Sequence, residues 1–215
     1  MYEGIVRVRF VNIGRKKDRV SAELRTPRGS WIEEGLRALA DGGPDAVKVE
    51  LLAKRLGVTK GGFYGQFADR NELLTAVLDT WERESTDEVV ERVEREGGDM
   101  ATKVRRAGAL TFSDDRLLPV DLAVRDWARR DPAVAQRLRR VDNRRMDYLR
   151  KLFGSGLDDP VDVQARSMLA FSLVIGAHYI SADSGPVPPA RARERAIALL
   201  MSGEQAAAPT QGATS

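Results

Sequence analysis

The stretch that most constrains this chain is residues 49–73, VELLAKRLGVTKGGFYGQFADRNEL. Val49, Leu52, Ala53 and Leu56 fall at i, i+3, i+4 and i+7, one apolar face of a helix. Gly57 follows at once, and glycine ends a helix at low steric cost in the left-handed region. Val58 can plug the gap between two helices. Thr59 is suited to N-cap the next helix, its hydroxyl accepting from a free backbone N–H. Phe63 and Phe67, four apart, share a face. This second helix is too short to stand alone in water, so packing must hold it. Asp69 and Glu72 form a capping box that opens a further helix.

Two helices joined by a glycine-containing turn are the helix-turn-helix, whose second helix enters the major groove of DNA. The same residues resemble the signature of the TetR family of transcriptional regulators. The resemblance lies in Leu52-Ala53, Gly57-Val58-Thr59, Lys60, Phe63-Tyr64, Phe67 and Arg70-Asn71-Glu72-Leu73. Gly65 and Gln66 stand where the family usually has bulky aromatic or His residues, and Arg70 where it usually has Lys. The resemblance implies an N-terminal three-helix DNA-binding domain followed by a larger helical ligand-binding and dimerisation domain. It also implies that Lys60 contacts bases, that Tyr64 contacts phosphate, and that Lys48, just before the second helix, touches the DNA backbone. Phe63 and Phe67 point to the core, so Thr59, Gly61, Gly62, Gly65 and Gln66 are assigned to the DNA side. Arg70, at the first position of the fourth helix, has a fork that can hold a phosphate. Each of these residues is also compatible with plain solvated surface.

With 215 residues, 42% hydrophobic and 31% charged, the chain has the composition of a globular protein of one large or two small domains. The absence of cysteine excludes disulfides, thiol catalysis and Cys-ligated zinc, and a single histidine excludes metal sites needing two. No cofactor is expected. No run approaches the roughly 18 apolar residues of a membrane span, and no secretion signal opens the chain, so a cytoplasmic location is expected. The net charge of +3 is uneven: residues 1–28 hold eight Arg and Lys against Glu3, Asp18 and Glu23. A basic arm beside a helix-turn-helix is the electrostatic footprint of a DNA binder, although a solvated tail has the same composition.

The chain reads as all-α from end to end. Residues 1–29 are expected to be a disordered basic arm, 30–76 the helix-turn-helix domain, 77–202 the ligand-binding and dimerisation domain, and 203–215 a disordered tail. Ser30 and Glu33 are expected to cap the first helix. The fourth helix is expected to start at Asp69 and to run on to about Glu96. Five more helices follow, at 100–112, 115–130, 132–153, 161–182 and 190–202. Phe112, Trp127, Met146, Met168 and Phe171, large apolar residues on different helices, are candidates for lining a cavity, and ordinary core is the plainer reading of each. In the resembled family a small molecule bound there changes the spacing of the two DNA-reading heads. Residues 168–180 are apolar nearly all round, so a homodimer is expected through Leu173, Gly176, Ala177, Ile180, Ile197 and Leu200. His178 is expected to be an interface histidine.

No Ser-His-Asp set and no phosphate-binding glycine loop can be assembled, so no enzyme is expected. The function expected is a DNA-binding regulator, a homodimeric repressor that binds double-stranded DNA at a palindromic operator and is released by a small-molecule effector. The alternative is a helical ligand-binding or scaffold protein without sequence-specific DNA recognition, favoured only by the glycines on the groove face.

Overall fold

The computed structural model describes residues 27–111, 117–181 and 185–202. Among these the secondary structure is entirely helical: α1 (Arg28–Gly42), α2 (Val49–Arg55), α3 (Lys60–Tyr64), α4 (Arg70–Ser85), α5 (Asp87–Glu96), α6 (Met100–Thr111), α7 (Leu117–Ala128), α8 (Pro132–Gly154), α9 (Pro160–Gly176) and α10 (Pro189–Met201), with a single 3₁₀ turn at Pro44–Ala46. The expected basic arm to residue 26, Phe112 and the tail from 203 lie outside the described residues.

The first four helices form the head. Trp31, Leu36, Leu39, Leu52, Phe63, Leu73 and Val77 are sealed from solvent. Phe63 is the hub: Trp31 meets it edge-on at 5.3 Å and Phe67 stacks on it at 5.3 Å. These contacts immobilise a five-residue helix that has no stability of its own. Gly57 takes φ 68°, the left-handed turn between α2 and α3 expected of it. Gly35 lets α1 and α4 close together, since a Cβ there would sit 2.7 Å from the Val77 methyl.

The start of α1 differs from expectation. Pro27, not Ser30, is the N-cap, and no side-chain cap bond forms. Arg28 accounts for the extra turn. Its guanidinium lies 4.0 Å above the Phe67 ring, pairs with Glu72 at 2.9 Å, and donates to the Gln66 carbonyl. Tertiary anchoring thus fixes the first residue of the helix, and a local cap is not needed. The capping box of α4 does form: Asp69 accepts from Glu72 N at 2.8 Å, while Glu72 reaches back to Ala68 N at 2.7 Å.

A second difference divides the expected long helix from Asp69 to Glu96. It breaks at Thr86, where φ −127° and ψ −76° are not helical. Ser85 donates its hydroxyl to the Trp81 carbonyl, and Thr86 to the Glu82 carbonyl at 2.6 Å. Back-bonding of this kind bends helices. The Ser85 carbonyl, left outside the helical ladder, accepts from Arg145 Nε at 3.3 Å.

The body is built on α8, which packs against α4, α6, α7 and α9. Asp131 and Asp159 cap α8 and α9, each followed by proline at the first helical position. The core that begins in the head continues into the body through Trp81, Val120, Val124, Val134 and Val141. Because α7 packs on both α1 and α4, the head is joined to the body by shared apolar contacts as well as by the chain. A separate core of Val89, Val93, Val104, Tyr148, Leu152 and Phe153 lies further out. No described helix is long and apolar enough to cross a membrane.

Candidate nucleic-acid interface and ligand cavity

The face of the head opposite Phe63 carries the expected DNA-side residues. Lys48 is exposed at the N-cap of α2. Thr59 occupies the N-cap position of α3 and is exposed, but its side chain makes no cap bond. Lys60 follows at the first helical position, half-exposed and paired with Glu50 of α2. That hydrogen bond, then the attraction of the charges, raises the Lys60 pKa, and the same bond lowers that of Glu50. Glu50 therefore holds the lysine until another partner takes it. Nothing in the sequence pattern singled out Glu50. Tyr64 is 60% exposed, with its ring edge-on to Phe63 at 5.2 Å. Gly61 and Gly62 are exposed beside it.

Three expected DNA-side residues stand elsewhere than the sequence placed them. Because α3 stops at Tyr64, Gly65 is its C-cap and Gln66 lies beyond it, half-buried and tied through its carbonyl to Arg28. Arg70 does open α4, but its fork points inward. Its Nε donates to the Val47 carbonyl at 2.6 Å and its Nη2 to the Pro44 carbonyl. The Pro44 carbonyl also accepts from Val47 N at 3.2 Å, so Arg70 adds a second donor there and ties the turn to the start of α4. It clamps the turn, so a phosphate contact by this residue would compete with these two bonds.

A cavity of ≈ 670 Å³ lies between α5, α6, α8, α9 and α10. Its walls are mainly apolar, with Val89, Val104, Leu149, Phe171, Val174 and Met201 among them. Of the described lining candidates only Phe171 is there. Trp127 packs against the core shared with the head, Met146 is half-buried away from the lining, and Met168 is 55% exposed. Bulk was a misleading guide. Small residues, Ala107, Gly108, Ala109 and Ala170, line it beside large ones such as Tyr148, Phe171 and Leu173. Three residues expected at a dimer interface, Leu173, Ile197 and Leu200, face the cavity, as does His178. Gly176 and Ala177 are half-buried at the end of α9, and Ile180, beyond it, is exposed.

Behind the cavity wall, α7 and α8 bury a charge cluster. Asp121 is sealed from solvent, accepts from Arg125 Nε at 2.8 Å and pairs with Arg145 at 2.9 Å. Arg125 also holds Asp142 through both terminal nitrogens, at 2.9 and 2.7 Å. Burial works against the Asp121 charge, but Arg145 and Arg125 outweigh it and keep its pKa below the usual range. Burial likewise opposes the charge of Arg125, and the bond from Asp142 with the attraction of Asp121 overcomes it.

Residues 32–77 match the family model of bacterial regulatory proteins, tetR family. No curated protein sequence matches the chain. Solved structures share its fold. The transcriptional regulator from Rhodococcus sp. Rha1 is 21% identical, with 81% of this chain and 94% of that one covered and a TM-score of 0.62. AibR, solved with isovaleryl coenzyme A and operator DNA, is 16% identical, covering 80% and 96%, at 0.59. The ketosteroid transcriptional regulator KstR2 of Mycobacterium tuberculosis is 15% identical, covering 81% and 93%, at 0.57. The family model covers the helices that build the head, so the head is similar to the DNA-binding domain of bacterial regulatory proteins of the tetR family, and the chain as a whole shares the fold of these solved regulators.

Proposed function

We propose that the chain is a sequence-specific transcriptional repressor, cytoplasmic and homodimeric, that binds a palindromic operator and is released by a small molecule in the cavity. The observation that supports this most directly is the continuity between its two ends. An exposed face with Lys60, Gly61 and Tyr64 stands on a head whose core extends onto α7 and α8, and α8 also carries the cavity wall, beside the separate outer core. Helix-turn-helix proteins place the N-terminal residues of the second helix against base edges, which is where Lys60 sits. Ligand binding would favour a body conformation whose heads no longer match successive major grooves. AibR, of the same fold, was solved with both operator DNA and a coenzyme A thioester.

The partner in the dimer is a second copy. Met168, Leu169, Ile180 and Leu199 leave large apolar side chains in solvent on α9, just after it, and on α10. Exposed apolar side chains of this size favour a partner surface, and Gly176 and Ala177 at the end of α9 would let two backbones approach. Selection from random duplexes tests the whole reading. Enrichment of a palindrome with half-sites one helical turn apart, or a multiple of it, is the expected result. Binding that is salt-sensitive but blind to sequence would leave a ligand-binding protein without specific DNA recognition.

A further inference from the structure

The DNA side of the head carries an ion pair that the fold does not need. Between Asp45 and Asp69 the chain holds one acid, Glu50, against Lys48, Lys54, Arg55 and Lys60. Arg55 is turned to Glu34 and Asp41 of α1, at 3.1 and 3.3 Å. Glu50 stands in the first turn of α2 and pairs with Lys60 at the start of α3. Both side chains are more than half exposed, so the pair lies open to solvent beside Thr59 and Gly61.

An exposed pair of this kind adds little to stability. Leu52 and Phe63, both sealed from solvent in one core, already hold α2 and α3 in place. An acid in the first turn of α2 gains from the helix dipole, but that gain makes no demand on Lys60. The pair matters for what it leaves the lysine able to do. An ammonium has three N–H donors. One is spent on Glu50, and two remain. The major-groove edge of guanine presents two acceptors, O6 and N7, neither of which carries a charge. Lys60 can therefore meet a guanine without leaving Glu50. A phosphate brings a second negative charge up to the Glu50 carboxylate, and that repulsion opposes what the lysine gains.

Resting on the reading of the head as a sequence-specific DNA binder, we propose that Glu50 is a specificity-determining residue that confines Lys60 to reading a guanine in each half-site and keeps it off the phosphates. Glu50 touches no base. It is a positioning residue that acts through Lys60, holding a long flexible side chain in one place before DNA arrives. It lowers affinity for DNA at large, where phosphate contacts supply the binding. The gap between operator and random sequence widens by the same factor.

Fluorescence anisotropy on the full chain tests this, with a random duplex and with the selected operator, each across a salt series. On the random duplex Glu50→Gln should bind several-fold more tightly than the parent. Its slope of log K against log salt should steepen by about 0.9, the value of one phosphate contact. Loss of an acid also relieves repulsion by itself, so Glu50→Gln with Lys60→Ala is measured beside it. The double variant should return to the slope of Lys60→Ala alone. A steepening that survives without the lysine overturns the proposal, and so does a Glu50→Gln slope equal to the parent's. On the operator, replacing one guanine per half-site should cost the parent at least about fivefold, cost Lys60→Ala nothing, and cost Glu50→Gln less than the parent. Glu50→Asp, which keeps the charge, should recover part of the discrimination. If no guanine loses its effect in Lys60→Ala, the base assignment is overturned. A Glu50→Gln variant that melts well below the parent and weakens on both duplexes alike would make the pair structural, which also overturns the proposal. A parent that selects no operator refutes the sequence-specific reading, and the salt series on the random duplex still decides whether Glu50 holds Lys60 off phosphate.

Discussion

At the scale of single residues, the groove face of α3 is shaped by what is missing. Gly61 and Gly62 lie inside a helix, where alanine is more favourable by roughly 0.5–1 kcal/mol per site. A Cβ at Gly61 would come no nearer than 3.7 Å to Thr59 Oγ1, and one at Gly62 no nearer than 3.9 Å to Trp31, so neither is excluded by the protein itself. The turn needs neither, because Gly57 makes it. Close approach to DNA is the remaining physical reason. Gly61→Ala is therefore expected to raise the thermal midpoint of the free protein and to lower operator affinity. A variant that is stabilised and binds the operator like the parent would leave the glycines merely tolerated.

Tyr64 and Arg70 separate in the same way. Tyr64→Phe removes an exposed hydroxyl, so it should leave the melting temperature unchanged and weaken binding to all sequences about equally. Arg70→Ala takes away two bonds, to the Val47 and Pro44 carbonyls, a loss of about 1.5–3 kcal/mol, and should lower the melting temperature by several degrees. An unchanged melting temperature for Arg70→Ala would return that arginine to the phosphate role.

At the scale of elements, the joint between α4 and α5 and the cluster beside it form one unit. Asp121 has a folded pKa below its usual value of 3.8. A carboxylate of that kind adds stability that is fully present above its unfolded pKa and is lost as the pH falls through its lowered folded one. Asp121→Ala removes the nearer acid of Arg145, which keeps Asp142 at 3.6 Å, and the acid that holds Arg125 Nε; removing one partner of a buried pair costs about 3–5 kcal/mol. Urea unfolding at neutral pH should show that loss. The gap between variant and parent should then narrow as the pH falls below about 4, where Asp121 of the unfolded chain takes up its proton, and close once the folded Asp121 is protonated as well. A gap that stays constant to low pH would show that Asp121 matters through packing, not through charge.

At the scale of the whole molecule, the apolar row on α9 and α10 makes the dimer testable. Leu169→Glu with Leu199→Glu places charge on two exposed leucines of the proposed dimer surface, neither of which lines the cavity. Each lost leucine contact is worth about 1.5–3 kcal/mol, so the dimer should dissociate at least about a hundredfold more readily. Sedimentation at roughly micromolar concentration reads this, and operator binding should fall with it, because two half-sites need two heads. A parent that sediments as a monomer there would sink the two-head mechanism.

What the sequence determined by itself is whatever its local spacing encodes. The apolar period of α2, Gly57 after it, the Phe63–Phe67 pair and the Asp69 cap define the head, because each acts within a turn or two of helix. The proline and glycine breaks set most helix boundaries in the body for the same reason. Tertiary structure decided the rest. Arg28 lengthens α1 through contacts 38 and 44 residues away, at Gln66 and Glu72. The carbonyls of Pro44 and Val47 turn Arg70 away from the groove. The cavity is empty space, written in no single residue. It exists only where α5, α6, α8, α9 and α10 pack together, bringing residues far apart in the chain to one wall.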